Sequence, residues 1–238
     1  NDGHPLKVSG DISSSAGTVV TISGNTASGN LAGGLWVGPS DDASAAFGTD
    51  ITTYITNNII KNNCVDGGCS DTAGIKASGG NFVISGNDII GNGGGYAGGI
   101  TNHPGRAGTL TISNNVIKDN LGGNHGGAIY MKGSGSDIVI TNNQIIANNG
   151  TSGSGISADG TNSSSPISIT NNVFHSNSGY LLPTESVIWA TNGAVDISNN
   201  IFVGHSQERL IEVSCQSGSQ YCPISNTLTN PSITNNNF

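Results

Sequence analysis

The chain has few charged and few aromatic residues, and both shortages limit its partners. Asp, Glu, Lys and Arg make up 9% of the 238 residues, aromatic residues make up 5%, and the formal net charge is −8. Nucleic acid binding needs clusters of Lys and Arg against the phosphates, so we exclude nucleic acid as a partner. The acidic balance also disfavours a polyanionic sugar, unless a cation such as calcium bridges the two.

Long apolar runs are missing as well, so we predict no membrane span. The sequence opens at Asn1 without the pattern of a signal peptide, which we interpret as a chain whose signal peptide has already been removed. Disordered chains usually combine low hydrophobicity with high net charge and lack periodic β-branched residues, whereas here Ile and Val recur at a fixed period, so we exclude disorder.

What the chain does contain is a repeat that returns about every 28 residues. Its eight anchors have an Ile, then Ser or Thr, and an Asn three positions after the Ile; they begin at Ile22, Ile55, Ile84, Ile112, Ile140, Ile169, Ile197 and Ile233. An apolar residue usually lies two positions before the Ile, as in a strand with one inward face. The anchor Asn tolerates left-handed backbone angles, and stacked amides can form a ladder. A second column, five residues later, is Asn in six units and His205 in the next.

Two more strands complete each unit: an apolar residue lies between the Asn columns, and a third strand follows glycines, as in Gly126–Ile129. Three short strands per unit predict an all-β fold, a single-stranded right-handed parallel β-helix of about eight coils of ~28 residues. We expect 1–238 to form one domain, with 1–18 as an N-terminal segment and 233–238 as an incomplete last coil.

The four cysteines form two local pairs, Cys64 with Cys69 and Cys215 with Cys222. These spacings are poor for zinc, so we predict two disulfides that close loop insertions at 64–69 and 215–222. Disulfides indicate an oxidising compartment, and Asn149 and Asn162 lie in sequons for N-glycosylation. The predicted location is extracellular or at the cell surface.

The strand pattern and the Asn columns resemble the pectate-lyase-like right-handed β-helix superfamily over nearly the whole chain. The segments Gly126-Gly-Ala-Ile129 and Phe174-His-Ser-Asn177 are also similar to the GGAI and FxxN repeats of chlamydial polymorphic outer-membrane proteins. The superfamily contains lyases, hydrolases, epimerases, adhesins and tail spikes, so the resemblance implies the fold and leaves the function open.

The resemblance implies that a lyase acting on acidic sugars would use a Lys or Arg base on one outer sheet. Candidates for such a base are therefore the outward positions of the third strand. Three positions after its aligned Ile, successive units carry His103, Lys132 and Asp159, so Lys132 could be a base with two orienting partners. Trp36 and Trp189 lie at the same outward position of the third strand, and these two residues together with Tyr130 are candidates for stacking on sugars. Asp41, Asp42 and Asp50 could bind calcium, but a solvated loop is the more ordinary interpretation, and we predict no resident metal or cofactor.

The two ends of the repeat suggest a different function. We find no sequence pattern of a helix that would cap either end. The last unit contains Ile233 and Phe238 but only part of a coil, so the segment with Leu6 and Val8 from another copy could complete that coil. Such a contact is heterologous and non-closing, and we therefore predict an extracellular or cell-surface filament that assembles head to tail, with adhesion as a candidate role and no favoured catalytic activity. The alternative is a polysaccharide-binding or lyase-like β-helix that acts on acidic sugars.

Overall fold

The computed structural model describes residues 6–8, 17–38, 51–65, 69, 74–103, 108–132, 137–159, 167–179, 186–191, 195–205, 209–214 and 232–238. The described part contains only strands, turns and bends, and it has no helix that could cross a bilayer. The possible calcium ligands Asp41, Asp42 and Asp50, the pair Cys215 and Cys222, and the sequon residue Asn162 lie outside the described residues.

Within the described residues, four parallel sheets run along the axis of a β-helix. Sheet A contains eight strands: β1 (Leu6–Val8), β4 (Leu35–Val37), β7 (Ile75–Ser78), β11 (Ile100–His103), β15 (Ile129–Lys132), β19 (Gly153–Asp159), β23 (Ser186–Thr191) and β26 (Arg209–Ser214). Sheet B contains another eight: β2 (Val19–Ser23), β5 (Thr52–Thr56), β8 (Asn81–Ser85), β12 (Leu110–Ser113), β16 (Ile138–Thr141), β20 (Ile167–Thr170), β24 (Val195–Ser198) and β27 (Ser232–Thr234).

The two remaining sheets are smaller. Sheet C contains seven strands: β3 (Thr26–Ser28), β6 (Ile59–Lys61), β9 (Asp88–Ile90), β13 (Val116–Lys118), β17 (Gln144–Ile146), β21 (Val173–His175) and β25 (Ile201–Val203). Sheet D contains four strands of two residues each: β10 (Gly93–Gly94), β14 (Leu121–Gly122), β18 (Asn149–Gly150) and β22 (Ser178–Gly179). Sheet D was not predicted, because two-residue strands leave no alternating pattern in the sequence.

The anchor strands of sheet B confirm the predicted repeat. Ile55, Ile84, Ile112, Ile140, Ile169 and Ile197 pair in direct register, which gives five successive coils of 28 or 29 residues. The estimate of about eight coils is therefore slightly too high for the regular part of the helix. The longer intervals at either side, from Ile22 to Ile55 and from Ile197 to Ile233, still keep the register of the anchors.

Inward columns of aliphatic residues form one continuous core along the axis. On sheet C the inward column is made of Ile60, Ile89, Ile117 and Ile145, followed by Phe174 and Phe202, whose rings stack with centroids 4.8 Å apart. Each buried Ile or Phe removes apolar area from water, which contributes about 1.5–3 kcal/mol per side chain. The period of the core thus follows directly from the period of the sequence.

The anchor Asn residues form a buried ladder. Asn115 is typical: its backbone N–H and its Nδ2 both donate to Oδ1 of Asn143 at 3.0 Å, and its Nδ2 also donates to the carbonyl of Ile84 at 2.9 Å. The ladder continues from Asn25 to Asn236. The ladder Asn residues tolerate left-handed backbone angles, but the left-handed position lies one residue earlier. The residue before each of them has the positive φ, as at Asn114 with φ 58°, because the chain turns there and leaves the ladder amide pointing inward.

Candidate functional site

The outer face of sheet A carries most of the residues that the sequence selected. One row of positions, which we call row one, follows the inward Leu or Ile of each strand in continuous register: Lys7, Trp36, Lys76, Thr101, Tyr130, Ser157, Trp189 and Glu212. Because successive side chains of a strand alternate between faces, these residues lie opposite the core. Sheet A therefore gathers residues from eight successive strands of the described part on one surface.

The middle of row one is covered, although it faces away from the core. Lys76 is 4% exposed, Tyr130 is 1% exposed, and Thr101 and Ser157 are fully buried. Trp36, Trp189 and Glu212 are only half-buried. An outward position on sheet A is thus enclosed in the central coils and partly open towards both ends of the row.

An aromatic cluster covers the centre of row one. The rings of Tyr96 and His125, which come from the turns before β11 and β15, lie nearly parallel to the ring of Tyr130 with centroids 5.2 and 4.5 Å from it. The centroids of Tyr96 and His125 are themselves 5.5 Å apart. The prediction that Tyr130 offers an exposed ring to a sugar is therefore wrong, since other rings of the same chain already cover it.

Trp36 also differs from the expected sugar platform. The ammonium of Lys7 lies 3.9 Å from the centroid of its ring, and that of Lys76 lies 4.8 Å from it. These two lysines precede and follow Trp36 in row one, so the indole interacts with a cation on the strand at either side. The sequence could have revealed this cluster, because the three residues occupy the same position of consecutive units.

The candidate catalytic residues occupy adjacent strands. Lys132 pairs directly with Asp159, and His103 follows Asn102, which pairs with Met131, the residue before Lys132. The backbone register therefore sets positions 103, 132 and 159 on three successive strands, two residues beyond row one. The side chains of these three residues lie outside the described part of the structure.

Trp189 is the aromatic candidate that retains a partly open position. It lies on β23, the strand after Asp159, and it pairs with Ser157 on one side and with Glu212 on the other. Glu212 forms an ion pair with Arg209 at 3.3 Å. Trp189 therefore lies at the border between the covered centre of row one and its partly open end.

The first predicted disulfide is present, and it joins Cys64 to Cys69. Both cysteines are buried, and the bond closes the turn that follows β6. The sequon residue Asn149 lies on β18, where its Nδ2 donates to Oγ of Ser178 at 3.4 Å. Among the described residues, no group of three His, Cys, Asp or Glu side chains is placed to hold a metal.

The residues predicted to join one copy to another differ in exposure. Leu6 and Val8 pack half-buried against the core of their own chain. Ile233 is 45% exposed, and Phe238 is 67% exposed, although its ring stacks on Phe202 with centroids 5.4 Å apart.

Comparison with known families agrees with this architecture. Residues 10–202 match the family model described as the right-handed beta helix region, so the chain belongs to the right-handed β-helix family. No curated protein and no solved structure matches the chain. The narrower similarity to the chlamydial repeats finds no support in this comparison, which leaves the function to be argued from the surface of the helix.

Proposed function

We propose that the chain is a secreted polysaccharide-binding β-helix, whose ligand contacts the outer face of sheet A between His103 and Trp189. The observation that carries the proposal is the register of sheet A. Four successive strands of sheet A hold His103, Lys132, Asp159 and Trp189. The first three are residue types that form hydrogen bonds with sugars, and the indole of Trp189 can stack on a sugar ring. The disulfide between Cys64 and Cys69 supports an oxidising location.

The distribution of charge supports the same surface. Lys7, Lys76, Lys132 and Arg209 are four of the seven basic residues of the chain, and all lie in strands of sheet A. The same strands hold two of the fifteen acidic residues, Asp159 and Glu212. Lys132 is matched by Asp159 and Arg209 by Glu212, so the positive excess comes from Lys7 and Lys76 beside Trp36. The strands between His103 and Trp189 carry balanced charges, which oppose the approach of acidic sugars less than the net charge of the chain suggests.

Binding is a simpler proposal than catalysis. A lysine acts as a general base only when its ammonium has lost a proton, and a neighbouring carboxylate opposes that loss. The backbone register pairs Lys132 with Asp159 on the adjacent strand, so a base at position 132 would have a carboxylate residue as its neighbour in register. Lyase activity with Lys132 as the base is therefore the alternative.

The test is a binding assay with oligogalacturonate, alginate, xylan and β-glucan, each with and without calcium. We expect Trp189→Ala and Lys132→Ala to weaken binding about tenfold each, which corresponds to about 1.4 kcal/mol. The matched controls are Tyr54→Ala, which removes an exposed aromatic ring from sheet B, and Lys118→Ala, which removes a lysine from sheet C. The proposal is wrong if no polysaccharide of the panel binds, or if the controls weaken binding equally. Release of unsaturated sugar ends that is lost in Lys132→Ala would establish the lyase.

A second candidate function is self-assembly into a filament that is an adhesive or structural fibre. The observation that favours it is the exposure of two large apolar side chains, Phe238, whose ring stacks on Phe202, and Ile233, which pairs with Ile197 on sheet B. Burial of these side chains by a second copy would stabilise a head-to-tail contact. Negative-stain microscopy of the concentrated protein tests this proposal, and uniform short rods would contradict it.

A further inference from the structure

The second Asn ladder contains one residue of a different type. In its regular part, the backbone N–H and the Nδ2 of Asn148 both donate to Oδ1 of Asn177 at 3.0 Å. The Nδ2 of Asn177 in turn donates to the carbonyl of Ile145 at 2.8 Å. The Oδ1 of each Asn thus accepts two hydrogen bonds from the Asn of the preceding coil, and its Nδ2 donates one to a backbone carbonyl of that coil. The next position in the series is His205.

His205 occupies the place of the amide but cannot make the same bonds. Its Nε2 lies 3.1 Å from the carbonyl oxygen of Phe174, which pairs with Ile145 and is the equivalent acceptor. Its Nδ1 lies 3.2 Å from the carbonyl oxygen of Asn177. Both ring nitrogens therefore face oxygens that only accept, and the ring offers no oxygen to Asn177. A neutral imidazole can donate to one of the two carbonyls, whereas an imidazolium can donate to both.

Burial decides between the two forms of the ring. Desolvation by burial is the largest influence and lowers the pKa of His205 below 6.5, its ordinary value, while the hydrogen bonds to the carbonyls of Asn177 and Phe174 act in the opposite direction. The charge of His175 on β21, an exposed residue, lowers the pKa further. Among the described residues, the other groups that contact the ring, Phe174, Asn177 and Phe202, carry no charge. The folded coil therefore favours the neutral ring.

We propose that His205 makes the coil that contains β24 and β25 acid-sensitive, so that this coil opens at a pH where the Asn-bonded coils stay closed. The direction of the pH effect follows from the linkage between protonation of His205 and folding. A group that titrates lower in the folded state contributes its full stability above its unfolded pKa. That contribution is lost as the pH falls from about 6.5 through the folded pKa. Regular coils of the same ladder have Asn at this place, which does not titrate in this range.

Hydrogen exchange tests the proposal on the whole chain. Protection factors, which correct for the intrinsic dependence of exchange on pH, are compared at pH 7 and pH 5 for peptides over 195–205 and over 110–118. We expect protection over 195–205 to fall about threefold or more in acid, while protection over 110–118 changes little. In His205→Asn, which restores the residue of the regular rungs, the fall should disappear. In His175→Asn, it should persist in weakened form.

A second measurement is independent of exchange. The pKa of His205, followed by the NMR shift of its ring proton, should lie below that of the exposed His175. Equal loss of protection in the parent protein and in His205→Asn would overturn the proposal. So would a rise of protection in acid together with a pKa above 6.5, because the two carbonyls would then hold the imidazolium.

Discussion

The outer faces of sheets A and C belong to the same coils, but their outward side chains differ in solvent exposure. On sheet C, Ile59, Ile201 and Val203 are each more than 40% exposed, although they are aliphatic. On sheet A, the outward residues Thr101 and Ser157 are fully buried, although they are polar. An outward position in a β-helix is therefore open only where nothing from the turns folds over it. On sheet A, side chains from the turns pack over the outward residues and form a second layer, whereas the outward aliphatic residues of sheet C are in contact with water.

The strongest test of this comparison removes one outward side chain from each sheet within the same coil. We expect Tyr130→Ala to lower the free energy of unfolding by about 3 kcal/mol, because a buried ring in contact with Tyr96 and His125 would leave a cavity. Val116→Ala on sheet C should cost less than about 1 kcal/mol, since that side chain is partly in water. Urea unfolding at equal m-values measures both. Similar losses for the two variants would show that the sheets do not differ.

A smaller loss of stability is expected from a substitution at Gly127, in the turn that precedes β15 of sheet A. A Cβ on Gly127 would overlap the carbonyl oxygen of Ser154 and the backbone nitrogen of Asn149, so the strands of neighbouring coils would have to separate. We expect Gly127→Ala to destabilise the protein by about 2 kcal/mol through this overpacking.

The matched control for that variant is Gly24→Asn. Gly24 has φ 69° and open space around its Cβ position, and the paired strand carries Asn57 with φ 56° at the same place. Asn tolerates this conformation, so the control should change the stability by less than about 0.5 kcal/mol. If both variants were neutral, the corner between sheets D and A would be looser than the structure indicates.

The sequence predicted the features that recur in every coil. The inward Ile columns, the two Asn ladders and the third strand could be found because each one repeats with the period of the coil, and eight aligned copies define a register. The bond between Cys64 and Cys69 could be predicted for a different reason, since the two residues are close in sequence.

The features that occur once could not be predicted in this way. The enclosure of Tyr130 depends on Tyr96 and His125, which lie in turns and belong to no alternating pattern. The residues in the same register as Tyr130 include Trp36 and Trp189, so position in the repeat did not distinguish a covered ring from a partly open one. The role of His205 was also hidden, because its place in the column was visible but its two carbonyl partners were not.

The smallest expected effects compare a lysine from each sheet. Lys118 on sheet C forms an ion pair with Asp119 at 3.4 Å, but both side chains are nearly half exposed, so solvent screens the pair. Lys118→Ala should change the stability by less than about 0.5 kcal/mol. Lys76 on sheet A is 4% exposed and its ammonium lies over the ring of Trp36, so Lys76→Ala should cost about 1 kcal/mol or more through lost packing and cation–π contact. Added salt gives a further distinction: it should remove what little Lys118 contributes and leave most of the Lys76 effect, because buried contacts are screened less. An equal response of the two variants to salt would mean that row one is as solvated as sheet C, and the outer layer on sheet A would then have no energetic consequence.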